Sequence, residues 1–131
     1  MLGALPEFTS ELEALLTACI FGYLVGSIPF GILISKVLGL GDLRKVGSGN
    51  IGATNVLRTG NKLAAFLTLL FDISKGICAV LITRHFFGED SVQVSVLSAL
   101  VGHCFPIWLK FNGGKGVATF LGATIALSFI I

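Results

Sequence analysis

Two short polar segments hold most of the residues in this chain that could do chemistry. The first is Gly47-Ser-Gly-Asn-Ile-Gly-Ala-Thr-Asn55, with Arg58 three residues further on; the second is Asn112-Gly-Gly-Lys-Gly-Val-Ala-Thr119. Glycines let backbone amides approach a ligand unhindered, and Arg58 and Lys115 supply positive charge, a combination suited to phosphate groups. A helix starting near Val117 would aim the positive end of its dipole at the same place.

Each segment imitates a nucleotide loop that it fails to satisfy. Gly47, Gly49 and Gly52 fit G-x-G-x-x-G, but no strand precedes them and no βαβ unit surrounds them. Gly113-Gly-Lys-Gly116 lacks the Ser or Thr that follows a P-loop lysine, and the upstream glycine is missing, so an NTPase is not supported. Blander readings are a flexible connector for the first segment and a basic loop resting on lipid headgroups for the second. A connector does not account for Ser48, Asn50, Thr54, Asn55 and Arg58 crowded into so few residues.

The surrounding sequence is that of an integral membrane protein. Of the 131 residues 54% are hydrophobic and 12% charged, and the mean hydropathy is +0.95, values that exclude a nucleic-acid partner and favour a bilayer. The expected fold is all-α, a polytopic bundle of about four transmembrane helices over residues 14–40, 63–82, 92–109 and 117–131, forming one domain. Helices are required because open sheet edges go unsatisfied in lipid. Gly26-Ser-Ile-Pro-Phe-Gly31 predicts a kink inside the first span. The fourth span offers only about 22 Å of helix at the usual rise, and ends without a polar anchor. The N-terminus bears Glu7, Glu11 and Glu13 and no basic residue before the first apolar run, unlike a signal peptide, so that run is expected to be retained as a span. Cys19, Cys78 and Cys104 are isolated in apolar surroundings and read as small core residues.

Loop charge sets the orientation. Arg44, Lys45, Arg58 and Lys62 against Asp42 in the first connection, and Lys110 and Lys115 in the third, place both connections on the cytoplasmic side by the positive-inside rule. The two glycine-rich segments then share one membrane face and can build one site. His85-Phe-Phe-Gly-Glu-Asp90 matches an H-x4-D pattern with which some glycerolipid acyltransferases activate a hydroxyl, but it falls on the opposite face, where nothing holds a phosphate, and reads as coincidence.

Asp72 and Lys75 stand three apart on one face of the second span, where an ionisable residue costs about 2.5–3.5 kcal/mol on insertion scales. They either pair with each other or position the loops. His103, with Pro106 and Trp108 nearby, either orients the Gly113 loop or hydrogen-bonds within the bundle. No metal is implied, because Asp42 is the only acid near these motifs and the histidines stand apart.

In order and spacing these residues resemble the bacterial acyl-phosphate glycerol-3-phosphate acyltransferases, the PlsY family. The resemblance runs through Gly26-Ser27, Val46 to Asn55 with Arg58, Phe71-Asp72 with Lys75-Gly76, Gly102-His103 and Phe111 to Thr119. It implies an inner-membrane enzyme of seven helices, without cofactor, that moves a fatty acyl group from acyl phosphate to the first hydroxyl of glycerol 3-phosphate, giving lysophosphatidic acid. It also implies a functional link to the enzyme that makes acyl phosphate. Carried over, Ser48 and Arg58 engage glycerol 3-phosphate, Lys115 contacts phosphate, and Gly113, Gly114 and Gly116 bind acyl phosphate. Asn50, Thr54, Asn55 and Thr119 are further expected substrate-binding residues; Asp72, Lys75 and His103 are supporting ones. The family's Arg-Tyr-x-Ser and His-Arg-x-Asn segments do not occur before Ile131, so the chain is expected to be an inactive fragment. The rival from another class is a transporter or channel for phosphate or a phosphate ester, using the same anion-cradling loops around a path through kinked helices.

Overall fold

Pro29 lacks an amide proton, and around it the first apolar run breaks in two. In the computed structural model, which describes residues 4–128, helix α1 spans Ala4–Gly26 and α2 spans Phe30–Val37. The predicted kink is thus an interruption between two helices. The chain continues through a single 3-10 turn at Leu43–Lys45 to the short helix α3 (Ala53–Leu57), then α4 (Lys62–Phe87), α5 (Glu89–Cys104), a second 3-10 turn at Ile107–Leu109 and α6 (Val117–Ser128). No strand occurs among the described residues.

The boundaries follow local chemistry. Asp42 accepts the Arg44 amide and closes the first turn at 3.0 Å; that amide, followed by the Arg44 guanidinium, holds the carboxyl below its ordinary pKa. Asn61 caps α4 by accepting the Ala64 amide at 2.9 Å. At its far end α4 runs past the expected residue 82 to Phe87, carrying Arg84 and His85 with it. The connection expected there shrinks to Gly88, whose φ of 88° turns the chain directly into α5, and Arg84 pairs with Glu89 across it. Helix α5 itself stops at Cys104, ahead of Pro106, and a 3-10 turn carries the third apolar segment on to Leu109. Residues 129–131 of the fourth expected span lie outside the described region.

Three segments, Glu11–Val37, Lys62–Phe87 and Glu89–Leu109, are long and apolar enough to cross a membrane, and Val117–Ser128 is a shorter apolar helix. Small side chains fill the interior: Ala18, Ala64, Ala79, Ala99, Ala123 and Ala126 are buried, whereas Leu16, Ile20, Phe66, Leu97 and Phe120 face outward. A water-soluble core is built the other way round. Between lipid-facing helices, close backbone packing replaces hydrophobic exclusion. Gly22 and Gly26 of α1 let α5 approach so near that a Cβ on either would overlap the carbonyls of Ser95 or Ala99.

Candidate active site

Both glycine-rich segments end at one cleft of about 320 Å³. Ser48, Asn50, Thr54, Asn55 and Arg58 line it from the first connection, Lys115 and Gly116 from the third, and Asp72 and His103 from α4 and α5. Leu69, Val117 and Leu121 form an apolar wall. Asp72 lies about 15 Å along α4 from Lys62 at the usual rise, so the cleft is sunk into one end of the bundle. His85 and Asp90 lie at the other end, beside the Gly88 turn.

The first segment is folded by its own side chains. Asn55 is buried, and its Nδ2 reaches the carbonyls of Leu43 at 3.0 Å, Val46 at 2.9 Å and Asn50 at 2.7 Å. Its Oδ1 accepts Arg58 Nη1 at 3.3 Å and so steers the guanidinium. Asn50 accepts the Gly52 amide through its side chain at 3.0 Å, and Ser48 Oγ accepts the Asn50 amide at 3.3 Å, which leaves the Ser48 hydroxyl proton free to donate. Thr54 is exposed on the cleft edge.

The second segment is anchored from behind. The Gly113 amide donates to the Cys104 carbonyl at 2.9 Å and the Gly114 amide to the His103 carbonyl at 3.0 Å, so these two amides hold the loop to the end of α5. The Lys115 and Gly116 amides have no partner among the described residues, and the first turn of α6, where a helix leaves its N–H groups without internal partners, also lines the cleft through Val117 and Ala118. Gly116 is buried with φ at 80°, a left-handed conformation that a Cβ disfavours. Thr119 points away from the cleft, its hydroxyl donating to the Asp72 carbonyl at 3.1 Å and joining α6 to α4.

Beneath the cleft lies a buried polar cluster. Asp72, Lys75 and His103 are 3%, 2% and 4% exposed. Lys75 Nζ is 3.3 Å from Asp72 Oδ1, 2.9 Å from the Gly26 carbonyl, 3.1 Å from the Ile28 carbonyl and 2.6 Å from His103 Nδ1. Asp72 and Lys75 pair with each other, the first of the two alternatives left open by spacing, and Lys75 also ties α4 to the break in the first span through the Gly26 and Ile28 carbonyls.

These positions can be set beside known proteins. A sequence model of the glycerol-3-phosphate acyltransferase family matches residues 16–131. The chain belongs to that family. It is similar to the glycerol-3-phosphate acyltransferases of Cereibacter sphaeroides strain ATCC 17029, 61% identical over 95% of this chain and 62% of the relative, and of Roseobacter denitrificans, 62% identical over 92% of this chain and 60% of the relative. Among solved structures it is similar to the integral membrane glycerol 3-phosphate acyltransferase PlsY (YgiH). In its glycerol 3-phosphate form the TM-score is 0.80 at 44% identity, and in its lysophosphatidic acid form 0.76 at 39%. Each alignment covers 88% of this chain and 58% of the other. The chain thus spans about three fifths of the length of the relatives it matches.

In this member of the family, the fastenings of the 105–109 turn were not legible in sequence. Tyr23 donates its hydroxyl to the Phe105 carbonyl at 2.8 Å and accepts the Ile107 amide at 3.0 Å, and Trp108 Nε1 donates to Ser27 Oγ at 2.9 Å. The partners lie more than 80 positions apart, beyond the reach of local pattern. The apolar wall was hidden too, because Leu69, Val117 and Leu121 look like any lipid-facing residues in sequence.

Proposed function

We propose that the cleft takes part in acyl transfer from acyl phosphate to the first hydroxyl of glycerol 3-phosphate, yielding lysophosphatidic acid and phosphate. The observation that carries this reading is the meeting of two cationic, amide-rich segments over an apolar wall. Arg58 and Ser48 stand on the first segment, and Lys115 with the N-terminus of α6 on the second. Such a cleft suits two phosphate-bearing molecules at once, one of them carrying a hydrocarbon chain.

An acyl phosphate is a mixed anhydride with a good leaving group, so holding two anions together and stabilising developing charge supply most of what the reaction needs. Arg58 and Lys115 offset the repulsion between the phosphates. Ser48, with Asn50 shaping its turn, orients the glycerol hydroxyl. The hydroxyl oxygen forms a bond to the acyl carbon, the bond from that carbon to the phosphoryl oxygen breaks, and the hydroxyl proton passes to the departing phosphate. The site lies on the cytoplasmic face of the bacterial inner membrane, and the donor comes from an enzyme that makes acyl phosphate.

The test uses membranes bearing the complete gene product, incubated with glycerol 3-phosphate and either acyl phosphate or acyl-CoA. Lysophosphatidic acid from acyl phosphate is the expected product. Product from acyl-CoA alone overturns the donor, and vesicle uptake of glycerol 3-phosphate without acyl transfer overturns the enzyme in favour of a transporter.

A further inference from the structure

His103 is buried at the floor of the cleft, and its two ring nitrogens have different surroundings. An ammonium group carries three N–H donors and no acceptor. On Lys75 the carbonyls of Gly26 and Ile28 take two of them, and His103 Nδ1, at 2.6 Å, takes the third. The count explains why Asp72 Oδ1 lies 3.3 Å from Lys75 Nζ yet forms no hydrogen bond. Because Nδ1 accepts, the ring proton sits on Nε2.

Nε2 has no hydrogen-bond partner among the described residues, while His103 lines the cleft. It stands directly against Gly114, where an added Cβ would collide with it. The Gly113 and Gly114 amides are already committed to the carbonyls of Cys104 and His103, so the imidazole N–H takes their place beside the loop as a donor that can meet a ligand, next to Lys115 and Gly116. Nε2 is not among the fully buried polar atoms that lack a partner, so its N–H opens onto the cleft, where a bound acceptor can reach it.

We propose that His103 donates its Nε2–H to a phosphoryl oxygen bound at the Gly113–Gly116 loop, with Lys75 as the positioning residue that sets the tautomer. This rests on the acyl-transfer reading above. Neutral imidazole adds a directed hydrogen bond without adding charge. Lys75, held behind it, is kept off the ligand and acts through the ring.

Two substitutions separate this role from a structural one. His103→Asn keeps an acceptor near Nδ1 for Lys75 but removes the donor at the Nε2 position, whereas His103→Gln keeps a donor there. In the complete protein, His103→Gln is expected to retain turnover within about threefold of the parent and His103→Asn to lose about tenfold or more, the scale of a hydrogen bond to a charged group. Parental turnover in His103→Asn overturns the proposal. A second measurement does not depend on either variant folding. In the complete protein, with the His103 ring assigned by through-bond correlation to its own backbone, 15N spectra should show the neutral Nε2–H tautomer, and its resonance should shift downfield with inorganic phosphate. An Nδ1–H tautomer, or an Nε2 signal indifferent to phosphate, overturns it. A parent protein that makes no lysophosphatidic acid from either donor removes the acyl-transfer reading instead, and the spectra still decide whether His103 meets phosphate.

Discussion

Arg58 and Asn55 differ in what they do for the cleft although both line it. The Arg58 guanidinium has one weak internal partner, while Asn55 holds three carbonyls of the loop that carries Ser48. Asn55→Ala strands those carbonyls, and a stability loss of about 1–3 kcal/mol is expected, read from thermal unfolding in detergent. An unchanged unfolding temperature with weakened glycerol 3-phosphate affinity would instead make Asn55 a direct ligand. Lys115 makes no ion pair among the described residues. Lys115→Ala in the complete protein is therefore expected to leave unfolding unchanged and to lower kcat/KM about tenfold to a hundredfold, as removal of a charge-assisted contact does. Normal turnover and affinity in that variant would count heavily against the two-phosphate scheme. Lys75→Met leaves Asp72 buried without its cation, a loss of about 3–5 kcal/mol; pairing it with Asp72→Asn should recover part of that in the same unfolding assay.

At the level of elements, the cleft depends on two interruptions facing each other. The break between α1 and α2 presents the Gly26 and Ile28 carbonyls to Lys75, and the break after α5 is fastened to the same region through Tyr23 and Trp108. The glycine loop is thereby carried down beside His103 before α6 begins. Gly116→Ala forces a side chain into a left-handed conformation, at about 1–2 kcal/mol. The expected result is a donor affinity that falls more than the affinity for glycerol 3-phosphate, measured by varying each substrate in turn; equal losses would sink the assignment of this loop to the donor. The first interruption was legible, because glycine and proline mark it in sequence; the second was not, since the third run read as one span to 109. Their fastenings were not legible either, since each joins residues far apart along the chain.

Across the whole molecule, the polar site gathers at one end of an apolar bundle and the Gly88 turn lies at the other. With the native cysteines replaced, a membrane-impermeant thiol reagent is expected to reach Lys45→Cys and Asp90→Cys from opposite sides, Lys45→Cys from the cytoplasm; labelling of both from one side would refute the orientation. Composition and run length were enough to determine a helical membrane protein, because hydrocarbon leaves the backbone few other ways to satisfy its hydrogen bonds. The order and spacing of the glycine-rich motifs were enough to determine the family. Tertiary structure alone decided that α3 forms within the first connection, that the Gly113 and Gly114 amides are spent on the end of α5, that Thr119 joins two helices, and that Lys75 lies against His103. The reason is physical: a residue type states what hydrogen bonds it can make, and only the packing of distant segments states which partners remain to make them.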